Sequence, residues 1–134
     1  MKKFIKYIFT VLIYLSFYTH IFAQETIKIG LLVPLSGENK KIGESIINTT
    51  RMALNSIDNK KIVIYPRDSK SDPDVALKIS RDLNEKYGIK IIIGPVFSET
   101  ALYLNQLPNI TFLSFTNKLK NNHKNVISTG VNAL

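Results

Sequence analysis

Cysteine is absent from this 134-residue sequence. Its absence excludes disulfide bridges, zinc sites built on thiolates, thiol nucleophiles and a lipid-modified N-terminal cysteine. Histidine occurs only twice, as His20 in an apolar N-terminal stretch and as His123 in a basic segment that has no carboxylate nearby in sequence. A catalytic triad or a histidine-based metal site is therefore not expected.

Three short motifs that would indicate an enzyme are also missing. No G-x-S-x-G, G-x-x-x-x-G-K-[ST] or G-x-G-x-x-G occurs, which excludes a nucleophile elbow and two phosphate-binding loops. A phosphoacceptor built on Asp68 would need acidic neighbours after the first strand to bind a cation, but Pro34, Leu35 and Ser36 stand there. We therefore predict a protein that is not an enzyme and that needs no cofactor or metal.

The sequence has no basic stripe interleaved with aromatic residues, so nucleic acid is not expected as a partner. The formal net charge is +8, from 18 Lys+Arg and 10 Asp+Glu. Three of the lysines lie within the first six residues, and the charge falls to +5 without them. Much of the basicity therefore belongs to the N-terminal segment and not to a binding surface.

The N-terminal segment has the layout of a secretory signal. Those three lysines precede a mostly apolar stretch at residues 7–22, and a polar, charged sequence begins after Ala23. We predict a signal peptide over residues 1–23 that is cleaved after Ala23, and a periplasmic or secreted mature protein. The alternative is an uncleaved membrane anchor, because residues 4–22 nearly reach the ~20 residues that a membrane helix needs.

Strand and helix signals alternate along the remaining sequence with little linker between them. This alternation predicts an α/β fold, a three-layer Rossmann-like lobe with a parallel sheet. Right-handed crossovers would place the first strand between the second and the third, with the fourth outside the third. The predicted strands cover residues 27–33, 62–66, 89–93, 110–115 and 126–128.

Three helices are predicted between these strands. The first covers residues 42–57, and the third covers residues 98–107. The second has the clearest signals, because Asp72 can cap it, Pro73 suits its first position and Gly88 stops it. Apolar positions at helical spacing predict that the first helix packs on the sheet. Its stripe consists of Ile42, Ile46, Thr50, Ala53, Leu54 and Ile57.

Small polar residues follow the predicted strands at the edge where their carboxyl ends meet. Ser36 follows the first strand, Asp68 closes the second, Ser98 follows Gly94-Pro95 after the third, and Ser114 ends the fourth. In an open parallel sheet this edge faces a crevice where ligands bind. A helix that starts there also offers unpaired N–H groups to an anion. For Asp68 we favour a role in holding its own loop over contact with a ligand.

The order and spacing of these motifs resemble the first lobe of the type 1 periplasmic binding proteins. The resemblance is to the leucine-isoleucine-valine-binding branch of ABC-transporter solute receptors, and also to the related lobes of activators of penicillin-binding proteins. It spans residues 26–130. The motifs that carry it are residues 27–37, Gly43, Asp68, Ser71-Asp72-Pro73 with Ala76, residues 93–95 with Ser98, and residues 113–117.

This resemblance implies a two-lobed protein that holds a solute between lobes closing about a hinge. It also implies a small-molecule solute, an amino acid or similar, and the membrane permease of an ABC transporter as partner. The sequence stops just after the fifth strand, so we predict an incomplete N-terminal lobe over residues 24–134. The alternative function is a regulatory interaction domain like those that activate penicillin-binding proteins.

For the site, the resemblance implies that a ligand carboxylate binds the hydroxyls of Ser98 and Thr100 at the start of the third helix. The ammonium group would bind the Ser114 carbonyl and the Thr116 hydroxyl. Alternatives stay open, because Ser98 could be a plain N-cap and Glu99 would compete with a ligand carboxylate. Phe97 and Phe115 could stack on the ligand or lie in the core. The predicted ligand-binding residues are Ser98, Glu99, Thr100, Ser114, Phe115, Thr116 and Asn117.

Overall fold

The computed structural model describes residues 26–117 and 124–130. The predicted signal peptide and His123 lie outside the described residues. All neighbouring strands pair in parallel, in the order β2-β1-β3-β4-β5. The predicted fold class and strand order are therefore confirmed. The strands are β1 (Ile27–Val33), β2 (Ile62–Asp68), β3 (Ile91–Ile93), β4 (Thr111–Ser114) and β5 (Val126–Ser128).

Two predicted strand boundaries are wrong by two residues. β2 continues to Asp68 instead of ending at residue 66, and β3 starts two residues later than expected. Ile89 lies just beyond the end of the preceding helix, and its backbone N–H donates to the Leu83 carbonyl of that helix at 3.3 Å. Its side chain is fully buried in the core. An apolar residue next to a strand was thus mistaken for part of the strand, since periodicity alone does not separate the two cases.

The helix between β2 and β3, α2 (Pro73–Tyr87), follows the sequence prediction closely. The Asp72 carboxylate accepts a hydrogen bond from the Val75 N–H at 2.8 Å, which satisfies one of the unpaired donors of the first turn. Gly88 ends the helix in the left-handed conformation at φ +68°, and its N–H donates to the Asn84 carbonyl at 2.8 Å.

The predicted third helix over residues 98–107 is wrong. Two short 3₁₀ turns, Glu99–Ala101 and Leu104–Gln106, replace it. Ala101 and Leu104 are both buried and stand three residues apart, which matches the period of a 3₁₀ turn. Together with α2 these turns cover one face of the sheet. The buried core there consists of Leu32, Ala76, Leu83, Ile89, Ile92, Ala101, Leu104, Ile110, Phe112 and Val126.

The helix between β1 and β2, α1 (Lys40–Ile57), lies on the other face of the sheet. Its existence was predicted, but its packing is looser than the apolar stripe suggested. Gly43 is its only buried residue, and a Cβ there would lie 1.8 Å from the Pro34 carbonyl oxygen. Ile42 and Ile57, at the two ends of the stripe, remain 43% and 60% exposed. Within the described ranges no helix has the length and apolarity needed to cross a bilayer.

Candidate functional site

A cavity of about 400 Å³ opens at the carboxyl edge of the sheet, among the segments that follow β3, β4 and β5. Five of the seven predicted ligand-binding residues line it. The other two, Thr100 and Ser114, do not. The lining residues are Val96, Phe97, Ser98, Glu99, Phe115, Thr116, Asn117 and Gly130.

Ser98 does not cap a helix, so that alternative is wrong. Its backbone is in the right-handed helical region (φ −62°, ψ −35°), and its side chain makes no capping hydrogen bond. The turn that follows it has only three residues, so the macrodipole of a longer helix is not present there. An anion beside Ser98 would therefore be bound by the Ser98 hydroxyl and by individual backbone N–H groups, without help from a helix dipole.

Thr100 is 1% exposed, and its hydroxyl has no hydrogen-bond partner among the described residues. Side chains two residues apart in a 3₁₀ turn diverge, and Ser98 lines the cavity while Thr100 does not. The expectation that both hydroxyls bind one carboxylate depended on a ligand at the start of a regular helix. The burial of Thr100 removes it from the cavity wall.

Ser114 is fully buried and joins three segments of the site. Its hydroxyl donates to the Pro95 carbonyl at 3.0 Å. Its own carbonyl accepts hydrogen bonds from the N–H and the hydroxyl of Thr129, both at 2.8 Å. Because a carbonyl oxygen has two lone pairs, no acceptor remains for the ligand ammonium that was expected there. Ser114 therefore positions the cavity wall and does not line it.

Aromatic side chains supply the apolar part of the wall. Phe115 is 38% exposed and lines the cavity together with Phe97. Phe115 is therefore not a core residue, which was the alternative.

Gly130 was missed by the sequence analysis. A Cβ on it would lie 2.6 Å from the Asn117 nitrogen and 2.7 Å from the Phe115 carbonyl oxygen, so only glycine lets these segments approach. Gly130 follows β5 closely in the sequence, just as small polar residues follow the other strands. This position was the signal that could have identified Gly130 as a site residue.

Asp68 lies at the same sheet edge but outside this cavity, and it ties two loops together. Its carboxylate accepts hydrogen bonds from the Leu35 N–H at 2.7 Å and the Lys70 N–H at 2.9 Å. Partial burial raises the pKa of Asp68, but the hydrogen bonds from Leu35, Ser36 and Lys70 outweigh burial and hold this pKa below its usual value. The prediction that Asp68 holds its loop is confirmed.

The lowered pKa of Asp68 makes its contribution to stability depend on pH. That contribution is fully present above the unfolded-state pKa of about 3.9 and is lost as the pH falls through the lower folded-state value. We expect Asp68→Asn to lower the free energy of unfolding by about 1 kcal/mol at neutral pH. Urea titrations at several pH values would show the two proteins converging below about pH 4. Glu85→Gln, at an exposed position on α2, is the control and should match the parent throughout.

The family model described as periplasmic binding protein matches residues 26–133. None of the curated proteins matches this sequence. Several solved structures share the fold.

One is a solute-binding protein of an ABC transporter from R. palustris in complex with benzoate. It is 25% identical over 66% of this chain and 27% of its own, with a TM-score of 0.60.

Two further structures extend the likeness to proteins named for branched-chain amino acids. An ABC-type branched-chain amino acid transporter from Rhodopseudomonas palustris is 20% identical, with a TM-score of 0.68, over 79% of this chain and 33% of its own. A substrate-binding protein from Streptococcus pneumoniae in complex with isoleucine is 17% identical, with a TM-score of 0.59, over 77% of this chain and 33% of its own. The chain thus spans about a third or less of the relatives it matches.

Proposed function

We propose that this chain, which belongs to the periplasmic binding protein family, is an exported solute-binding protein of an ABC transporter. The observation that carries this proposal is the cavity at the carboxyl edge, where side-chain hydroxyls and two phenylalanines stand on one wall. In open α/β sheets this edge is where ligands bind. The protein would deliver its solute to a membrane permease, and the predicted signal peptide would bring it to the periplasm.

The solute that suits this wall is a small carboxylate with an apolar body, which includes branched-chain amino acids and benzoates. The Ser98 hydroxyl can donate to the carboxylate, and the rings of Phe97 and Phe115 can pack on the apolar part. Structural relatives bound to isoleucine and to benzoate support this class. For an amino acid, Thr116 can accept from the ammonium group, and the Glu99 carboxylate on the same wall attracts it.

The described residues form one wall only, so a bound solute would keep its other side in water. Polar contacts are weaker when water is not excluded. We therefore expect this chain alone to bind such solutes with a dissociation constant on the order of millimolar. The alternative function, regulation of cell-wall synthesis, has no support among the relatives described above.

Removing two hydroxyls from the wall tests the proposal. We expect Ser98→Ala combined with Thr116→Ala to weaken the binding of isoleucine and benzoate about tenfold or more, because hydrogen bonds to a charged group contribute about 1.5–3 kcal/mol each. Isothermal calorimetry at high solute concentration measures this. Ser45→Ala is the matched control, since that hydroxyl only donates to the Lys41 carbonyl on α1. Equal affinity in the double variant and the control would place the solute elsewhere.

A further inference from the structure

The wall of the solute cavity is built from two separate segments. Phe97 and Ser98 belong to the segment that follows β3, and Phe115 and Thr116 belong to the one that follows β4. In the function proposed above, the carboxylate of an amino acid binds Ser98 and its ammonium group binds Thr116. The spacing between the two segments therefore decides whether both ends of the solute bind at once.

Two side-chain hydroxyls connect these segments without lining the cavity. The Thr129 hydroxyl donates to the Ser114 carbonyl at 2.8 Å, and the Ser114 hydroxyl donates to the Pro95 carbonyl at 3.0 Å. The Phe115 N–H also donates to the Pro95 carbonyl, at 3.0 Å. The end of β5 is thus linked through the end of β4 to the segment that carries Ser98.

The Thr129 hydroxyl is an addition to the sheet and not a requirement of strand pairing. The Thr129 N–H already donates to the Ser114 carbonyl, at 2.8 Å, in the manner of a parallel ladder. The Ser128 hydroxyl makes a similar extra contact, because it donates to the Thr116 carbonyl. Together these two hydroxyls hold the backbone on both sides of Phe115. Groups that contact a ligand need such support to stay within about 0.5 Å of their working positions.

A change in this spacing affects two classes of solute unequally. Hydrogen bonds depend steeply on distance and angle, whereas apolar contact is not directional. An amino acid places a hydrogen-bonded group on each segment, with Ser98 on one and Thr116 on the other. Benzoate has a single polar group, and its ring packs on Phe97 and Phe115. A small displacement of one segment relative to the other therefore weakens amino-acid binding more than benzoate binding.

We infer that Ser114 and Thr129 are positioning residues for the solute site. Their hydroxyls set the spacing between Ser98 and Thr116, and this spacing favours solutes with both a carboxylate and an ammonium group over simple carboxylates. The inference rests on the proposed function and adds a determinant of solute preference that lies outside the cavity wall.

Thr129→Val tests the inference, because it removes the hydroxyl and keeps both the N–H and the β-branched shape. We expect it to weaken isoleucine binding about threefold or more, which is part of the loss expected when a hydrogen bond to a charged group is broken. Benzoate binding should change by less than about twofold. Thr129→Ser, which retains the hydroxyl, should restore the parent ratio of the two affinities. Calorimetry of each variant with both solutes measures that ratio.

Thr49→Val is the matched control, since the Thr49 hydroxyl donates to the Ser45 carbonyl on α1. This control should leave both affinities unchanged. A general loosening of the fold would instead weaken the binding of both solutes by the same factor. Equal weakening of isoleucine and benzoate binding in Thr129→Val, or no weakening of either, would overturn the inference.

A measurement without solute separates this inference from the proposed function. If the hydroxyls set the spacing, Thr129→Val should shift the amide resonances of Phe97 and Ser98 in the ¹⁵N-labelled chain, and Thr49→Val should not. Unchanged resonances there would contradict the positioning role whether or not a solute binds. If the parent chain binds neither solute, the proposed function fails and the inferred preference fails with it, while shifts at Phe97 and Ser98 would still support the inferred spacing.

Discussion

Replacing Gly94 by alanine is expected to lower the free energy of unfolding by about 3 kcal/mol or more, a large part of the stability of a small domain. Gly94 has φ +112°, a region that residues with a Cβ rarely adopt. An added Cβ would also lie 2.2 Å from the Leu32 carbonyl oxygen, which belongs to the backbone of β1. The substitution therefore pushes the end of β3 away from β1. Urea denaturation followed by circular dichroism measures the loss.

Gly37→Ala is the matched control for this substitution. Gly37 also has positive φ, at +72°, but no atom lies within 4 Å of the position that its Cβ would take. Only the backbone strain remains, which amounts to about 1–2 kcal/mol. Similar losses for the two variants would show that the approach of Gly94 to β1 does not limit stability.

The second large effect is expected for Phe112→Ala, which should lower the free energy of unfolding by about 3–5 kcal/mol. Phe112 is fully buried in the core, and on β4 it pairs with Ile92 on one side and Val126 on the other. Truncating it leaves a cavity in the core that its neighbours fill only in part. Thermal and urea unfolding of the same sample measure this loss.

Phe115→Ala, three residues along the same segment, distinguishes structure from function. Phe115 is 38% exposed on the cavity wall, so its removal should cost less than about 1 kcal/mol of stability. It should weaken the binding of isoleucine and benzoate instead. If Phe115→Ala destabilises the chain as strongly as Phe112→Ala, then Phe115 is a core residue and the assignment of the cavity wall is wrong.

The sheet was predictable from the sequence because its signals are local and agree with one another. The apolar runs define β1 and β3, and the cap at Asp72 with the stop at Gly88 fixes α2. Once the elements alternate, the handedness of crossovers leaves few possible strand orders. The strand order predicted which edge of the sheet carries the site. It also predicted that Ser98 and Thr116 lie at the same cavity.

The details of the site were harder to predict because they depend on contacts between distant segments. Thr100 is buried beside the core residues Ala101 and Leu104 in the segment of 3₁₀ turns, and this burial depends on the elements packed against that segment. The carbonyl of Ser114 is occupied by Thr129, fifteen residues away. Local patterns contain neither piece of information, because both depend on contacts between segments that are far apart in the sequence.

The most direct test of the solute-binding proposal is a nuclear magnetic resonance titration of the ¹⁵N-labelled chain with isoleucine and with benzoate. The proposal predicts saturable shifts, with a dissociation constant on the order of millimolar, at the amides of Phe97, Ser98, Thr116 and Gly130. Amides on α1, such as that of Met52, should not move. Saturable shifts confined to α1, or no shift at the cavity up to the solubility limit of both solutes, would contradict a solute site at the carboxyl edge.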